Sequence, residues 1–257
     1  MNHKLIYLSV FVIISQLSIA QDKAKYKVWN PANDTLNVLE GQGWPKKTQD
    51  YYDRLPAKAE SIVRADVWKL SKNNAGVSLR FRTNSNEIIV KYAVKGNLQL
   101  SHMPATGVSG VDLYAKDRDG RWLWSAGAFS FGDTITYRFN NLEQANNPDR
   151  EYTLYLPLYN SVKWMEIYVP NQKSFTPMPL HQEKPIVVYG TSIAQGACAT
   201  RPGLAWTSIL QRKLDQPVIN LGFSGNGRLE KELVDLLTEI DAKLYVLDCL
   251  PNLISIS

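Results

Sequence analysis

From about Tyr26 to His181, apolar side chains recur at every second position, as in Val77, Leu79 and Phe81, in Ile88, Val90, Tyr92 and Val94, and in Met165, Ile167 and Val169. Successive side chains of a strand point to opposite faces, so this period predicts antiparallel strands with one face buried and one toward water. Turn-forming clusters separate the runs: Lys72-Asn73-Asn74-Ala75-Gly76, Thr83-Asn84-Ser85-Asn86, Asp117-Arg118-Asp119-Gly120 and Asn146-Asn147-Pro148-Asp149. Many short strands between such turns predict an all-β sandwich or jelly roll. A segment of about 150 residues is long enough to bury a core of its own.

After Glu183 the pattern changes to short, continuously apolar runs at Ile186 to Tyr189, Val218 to Leu221 and Leu244 to Leu247. Strands buried on both faces have this composition. Between the first two runs, Trp206, Ile209, Leu210 and Leu214 fall on one face of a helix. Between the second and third, Leu229, Leu233, Leu236, Leu237 and Ile240 do the same. The order βαβαβ with right-handed crossovers predicts three parallel strands whose carboxyl ends share one side of the sheet, where ligands bind. The expected division is therefore a leader at 1–20, a β-sandwich at 21–183 and an α/β unit at 184–257.

Composition narrows the function classes. The 257 residues are 44% hydrophobic and 21% charged, as in ordinary globular proteins. The net charge of +5 arises from 29 Lys and Arg against 24 Asp and Glu, mixed without a basic stripe, so no nucleic-acid partner is expected. Lys4 precedes an apolar run from Leu5 to Ile14, and Ser18-Ile19-Ala20 places small residues where a signal peptidase reads. This predicts a leader cut before Gln21 and a secreted or periplasmic product. The run is about half of the roughly 20 residues a membrane span needs, and no second run reaches that length.

The candidate chemistry sits at the strand ends. Tyr189-Gly190-Thr191-Ser192-Ile193-Ala194-Gln195-Gly196 follows the first strand, Gly222-Phe223-Ser224-Gly225-Asn226-Gly227 the second, and Asp248-Cys249-Leu250-Pro251-Asn252 the third. A serine just past a strand can attack a carbonyl. A glycine N–H and an asparagine amide can hold the oxyanion that develops. A phosphate-binding loop would need Lys after its last glycine, and Ala197 stands there; G-x-G-x-x-G is absent from both glycine loops. Taken singly, each cluster also reads as a strand-to-helix turn or a helix cap.

Gly190-Thr191-Ser192, Asn220-Leu221-Gly222-Phe223-Ser224-Gly225-Asn226-Gly227 and Asp248-Cys249-Leu250-Pro251-Asn252 resemble the first three blocks of the SGNH (GDSL-type) hydrolases. The resemblance is to the exported two-domain branch whose amino-terminal jelly roll carries G-x-D-L-Y, here Gly110-Val111-Asp112-Leu113-Tyr114. It implies a jelly roll followed by a three-layer, flavodoxin-like α/β domain. It also implies that Ser192 is the nucleophile, and that Gly225, Asn252 and the Ser192 N–H are the oxyanion donors. Such enzymes cleave esters, often acetyl groups on carbohydrates, through an acyl-enzyme and with no metal or cofactor. The expected partner is thus a small-molecule or glycan ester, with the oligomeric state left open.

The family's Asp-x-x-His block, which supplies the base, is absent. A serine hydroxyl is a poor nucleophile at neutral pH unless an imidazole takes its proton. Past the leader the only histidines are His102 and His181. His181 lies before the first parallel strand and Ser192 after it, some 20 Å apart along extended chain; His102 belongs to the sandwich. The sequence therefore reads as a truncated family member, inactive or nearly so, with one sheet edge open. The second reading is a carbohydrate-binding sandwich with a passive α/β remnant.

Other residues are ambiguous. Of the seven tryptophans, Trp29, Trp44, Trp68, Trp122, Trp124 and Trp164 lie before the α/β part, and most are expected in the core rather than stacking on sugars. Asp112, between Val111 and Leu113, reads as a buried carboxylate that fixes the sandwich, with an interdomain role as the alternative. Cys198 and Cys249 could pair near the active edge, two buried thiols being the expectation. Arg201 and Arg228 read as solvated loop charges that could also attract an acidic substrate.

Overall fold

The computed structural model describes residues 25–142 and 149–253; the expected leader at 1–20 lies outside the described residues. The chain before Glu183 forms β1 (Tyr26–Trp29), β2 (Leu39–Glu40), β3 (Ser78–Thr83), β4 (Ile88–Val94), β5 (Asp112–Lys116), β6 (Trp122–Ser125), β7 (Ala128–Ser130), β8 (Ile135–Phe139), β9 (Arg150–Tyr155), β10 (Val162–Pro170) and β11 (Thr176–Pro177). Two short helices interrupt them, α1 (Ala65–Ser71) and α2 (Ala105–Val108). One antiparallel sheet runs β1-β10-β4-β8-β7; the other runs β11-β3-β9-β5-β6, with β2 also on β3. Val77, Leu79, Phe81, Ile88, Val90, Tyr92, Met165, Ile167 and Val169 meet in one buried cluster, as the two-residue period predicts. Val94 packs at its margin.

The second part holds β12 (Ile186–Gly190), α3 (Ser192–Gln195), α4 (Trp206–Leu214), β13 (Val218–Gly222), α5 (Lys231–Leu237), β14 (Leu244–Asp248) and α6 (Leu250–Leu253). Its parallel sheet has the order β13-β12-β14, in register so that Gly190 lies beside both Gly222 and Asp248. With the first strand in the centre, the chain leaves toward opposite edges, and the ends of all three strands open on one crevice. Alternate residues confirm that both faces are covered. Val187, Tyr189, Ile219 and Leu221 pack with Leu233, Leu236 and Leu237 of α5. Ile186, Val188 and Val218 pack with Trp206 and Leu210 of α4.

Three features depart from the sequence pattern. Trp44, Leu55, Ala59 and Val67, expected with the sandwich, join the α5 face of the parallel sheet. Leu229 is not on the helix; it stands ahead of α5 with φ +56°, because Tyr189 Oη accepts both its N–H (3.1 Å) and that of Arg228 (3.2 Å) and bends the chain back. The deeply buried face of α4 is Thr207, Ser208 and Gln211, whereas Leu214 is 55% exposed. Of these, Thr207 meets Asn220 of β13, while Ser208 meets the sandwich, where Tyr155 Oη donates to its carbonyl at 3.4 Å. At the sheet's edge, β14 exposes Leu244, Tyr245 and Leu247. Among the described residues, no helix is long and apolar enough to cross a membrane.

Candidate active site

The three strand-end loops are stitched together by main-chain hydrogen bonds. The Gly190 carbonyl accepts from Phe223 N–H (2.9 Å), and Thr191 N–H donates to the Asp248 carbonyl (3.2 Å). Thr191 Oγ1 then accepts from Ile193 N–H (3.3 Å), which starts α3 and makes half-buried Ser192 its first residue. Gly196, at φ +103°, ends that turn, its N–H donating to the carbonyls of Ser192 and Ile193. The Ser192 hydroxyl takes part in no hydrogen bond among the described residues; the Ser192 contacts are made by its carbonyl, which Tyr159 Oη approaches at 3.4 Å.

Gly225 occupies the third position of a turn closed by Asn226 N–H to the Phe223 carbonyl (2.8 Å). Its φ of +69° requires glycine, although a side chain there would meet nothing within 4 Å. Gly227 lies flat on the first loop: a β-carbon on it would stand 2.4 Å from the Gly190 oxygen and 2.9 Å from the Thr191 nitrogen. The Gly227 N–H donates to Asn252 Oδ1 at 3.1 Å. One residue thus touches both the Gly190–Thr191 loop, which leads into Ser192, and Asn252, so the ends of all three strands meet at Gly227. Because Oδ1 faces the Gly227 donor, the carboxamide turns its Nδ2 donor end the other way.

Further residues hold this arrangement. Gln195 is fully buried, accepts from Ser224 N–H (2.9 Å) and donates to the Leu158 carbonyl and Asn73 Oδ1 (3.2 Å each), so it fixes the Gly225 turn from behind. Asn220 is fully buried in β13, donates to the Ala194 carbonyl (2.7 Å) and Thr207 Oγ1 (2.9 Å), and accepts from Gly222 N–H (2.8 Å). Arg54 is fully buried below them. It donates to the carbonyls of Gly222 (2.8 Å), Asn220 (3.1 Å), Leu70 (2.7 Å) and Asn73 (2.7 Å), and lies 4.9 Å from the Phe223 ring. Burial lowers its guanidinium to about 9, still a cation at neutral pH. Beside the glycine turn, Arg64 binds Asn226 Oδ1 (2.7 Å) and Glu230.

Asn220 had a signal, an amide inside an otherwise apolar run; Gln195 and Arg54 had none, since their partners, mostly main-chain groups, lie far off in sequence.

Neither histidine touches the serine. His181 Nδ1 lies 2.9 Å from Glu40 Oε1 and 3.0 Å from Arg80 Nη1, in a recess shared with Asp215 and Gln216 ahead of β13, toward the amino ends of the strands. His102 is exposed in a tight hairpin between Leu100 and Met103. The cysteines are free thiols. Cys249 is buried, which pushes its thiol up to about 11, whereas Cys198 is exposed, not buried as expected. Trp44 is buried and Trp29 and Trp68 pack at the margins of the two cores, whereas Trp124 and Trp164 are 49% and 37% exposed. Arg201 is not a solvated charge; it pairs with Asp112 at 3.2 Å.

Comparison with known proteins identifies the family of both parts of the chain. Residues 26–175 match the model described as GxDLY, the N-terminus of SGNH-hydrolase-type esterases, and residues 183–257 match the GDSL-like lipase/acylhydrolase family. A structure described as a GDSL-like lipase from Bacteroides ovatus ATCC 8483 is 35% identical, with TM-score 0.80 over 88% of this chain and 65% of its own. The salicylyl-acyltransferase SsfX3 of a tetracycline biosynthetic pathway shares the fold at 18% identity and TM-score 0.63, over 86% of this chain and 60% of its own. The chain therefore spans less than two thirds of either protein's length. Curated proteins give no match.

Proposed function

This chain belongs to the GDSL-like lipase/acylhydrolase (SGNH) family with a GxDLY amino-terminal domain, and on that premise we propose that it is built as an exported carboxylester hydrolase that deacylates carbohydrate esters at Ser192. In this reading its layout is a jelly roll followed by a flavodoxin-like domain, delivered by the leader at 1–20 and mature from Gln21. The Ser192 oxygen bonds to the ester carbonyl carbon as its proton passes to a base. The negative charge that moves to the carbonyl oxygen is met by the N–H groups of Ser192 and Gly225 and by Asn252 Nδ2. Collapse expels the alcohol, here a sugar hydroxyl, with a proton from the conjugate acid of the base. Water then releases the acid by the same path in reverse.

One observation carries the reading. Gly227 lies on the nucleophile loop and donates to Asn252, which is what a shared oxyanion site requires. The base is the missing part: His181 is bound to Glu40 and Arg80, and His102 does not reach the Ser192 hydroxyl. We infer that the 257-residue chain hydrolyses esters only slowly. In enzymes of this kind, oxyanion stabilisation and binding alone retain roughly 10³-fold catalysis over water.

A fluorophosphonate tests this by mass spectrometry. Slow labelling confined to Ser192, and about tenfold slower in Asn252→Ala, supports the reading. Labelling scattered over surface serines, or indifferent to Asn252, overturns it. Turnover of p-nitrophenyl acetate far above that of Ser192→Ala would overturn the inference of slow hydrolysis.

A further inference from the structure

The Gly110-Val111-Asp112-Leu113-Tyr114 motif plays no part in the chemistry above, yet it faces the loop that follows the nucleophile. We propose that Asp112 is a positioning residue for the Ser192 centre, through which the sandwich clamps residues 201–203, between α3 and α4, and holds the nucleophile turn against the sheet. The inference rests on Ser192 being the nucleophile.

Asp112 is 2% exposed and surrounded by donors. Gly203 N–H donates to Oδ2 at 3.0 Å, Arg201 Nε lies 3.2 Å from Oδ2, and Trp124 Nε1 donates to Oδ1 at 2.7 Å. Gly203, by a hydrogen bond, and Arg201, by an ion pair, belong to the α3–α4 connection. A carboxylate that served the sandwich alone would take its hydrogen bonds from sandwich strands, and here only Trp124 supplies one. At neutral pH, with donors on every side, the ionised carboxylate is an acceptor to all of them, whereas asparagine would turn an NH₂ against one.

Tyr114 completes the clamp. The Arg212 guanidinium lies 3.7 Å from the centre of its ring and donates to the Gly203 carbonyl at 2.7 Å. Asp112 therefore holds the N–H of Gly203 while Tyr114, through Arg212, holds its C=O. The fit leaves no room: a β-carbon on Gly203 would stand 2.2 Å from Tyr114 Cε2 and 2.6 Å from Asp112 Oδ2.

The contact extends back to the nucleophile. Thr106 Oγ1 donates to the Thr200 carbonyl at 2.6 Å, and Gly107 is packed on the Ala199 carbonyl. Ala199 N–H in turn donates to Gly196 (3.1 Å), and Ala197 N–H to the carbonyl of Ser192 (2.8 Å). Residues 201–203 continue along the chain into this segment, and from Ala199 back to Ser192 each link is a main-chain hydrogen bond.

Segment-resolved amide exchange on the full chain tests the clamp. In Asp112→Asn, amides of 193–205 should exchange about tenfold faster while those of β3, β4 and β10 stay within about twofold, because only the α3–α4 connection is released. An unchanged 193–205 segment, or equal acceleration throughout the sandwich, overturns the proposal. Should that variant fail to fold, Arg201→Gln, at a partly exposed position, should accelerate the same segment about threefold, and no change there overturns it. Fluorophosphonate labelling of the same samples separates the two readings. A released loop with no Ser192 labelling even in wild type removes the nucleophile, and the positioning role with it. Wild-type labelling with an unmoved loop removes the clamp alone.

Discussion

Gln195 holds three hydrogen bonds from a fully buried position, so its loss strands several buried polar groups at once. Gln195→Ala should destabilise the chain by about 3 kcal/mol in urea unfolding, most of it from the orphaned Ser224 N–H and Leu158 carbonyl. Asp112 gives a second test. Burial raises its carboxyl to about 6 from 3.8, against the pull of Arg201, Trp124 and Gly203. A carboxyl raised in the fold stabilises most when protonated; that contribution is complete below pH 3.8 and fades as pH rises through 6. Wild type should therefore gain about 2 kcal/mol relative to Asp112→Asn between pH 7 and pH 4, read as a difference of unfolding free energies. At this scale the sequence located Ser192, Gly225 and Asn252 after the three parallel strands, where the structure has them, because strand ends are legible from local pattern. Gln195 and Arg54 stayed hidden, because what makes them important is which main-chain atoms the fold brings to them.

Among elements, strand periodicity was the most legible signal, since side-chain alternation depends on local geometry alone. Helix patterning was less so. On α4 the apolar positions describe the face toward the parallel sheet, while the deeper face is small and polar because a second layer covers it. Leu229 fits the helical spacing but is bent away by a tertiary contact with Tyr189. Two glycines near these elements make contrasting predictions. Gly222→Ala would put a β-carbon 2.2 Å from the Gln195 nitrogen and force α3 off β13, costing about 3 kcal/mol. Gly225→Ala meets open space and pays only for its left-handed backbone, about 1 kcal/mol. Thermal unfolding of the pair should rank them in that order; equal losses would mean that α3 does not pack on β13 as described.

The whole molecule is more interleaved than a boundary at Glu183 suggests. Residues from the β2–β3 connection, Trp44 and Leu55 among them, pack on one face of the parallel sheet, and α4 and the 199–203 loop lean on the sandwich. Alternation along the chain cannot reveal such exchanges, because it records that a side chain is buried and not against what. The exposed Leu244, Tyr245 and Leu247 of edge strand β14 predict concentration-dependent self-association. Leu247→Lys should lessen it in sedimentation velocity, and equal association of both proteins would place the contact elsewhere.

Over the whole molecule, the proposed nucleophile and oxyanion groups need only a proton acceptor to turn over, and chemical rescue puts this to the test. Imidazole added to the protein with p-nitrophenyl acetate should raise hydrolysis with saturation, in wild type well above the level given by Ser192→Ala with the same imidazole. Identical rates for the two proteins at every imidazole concentration would contradict the account.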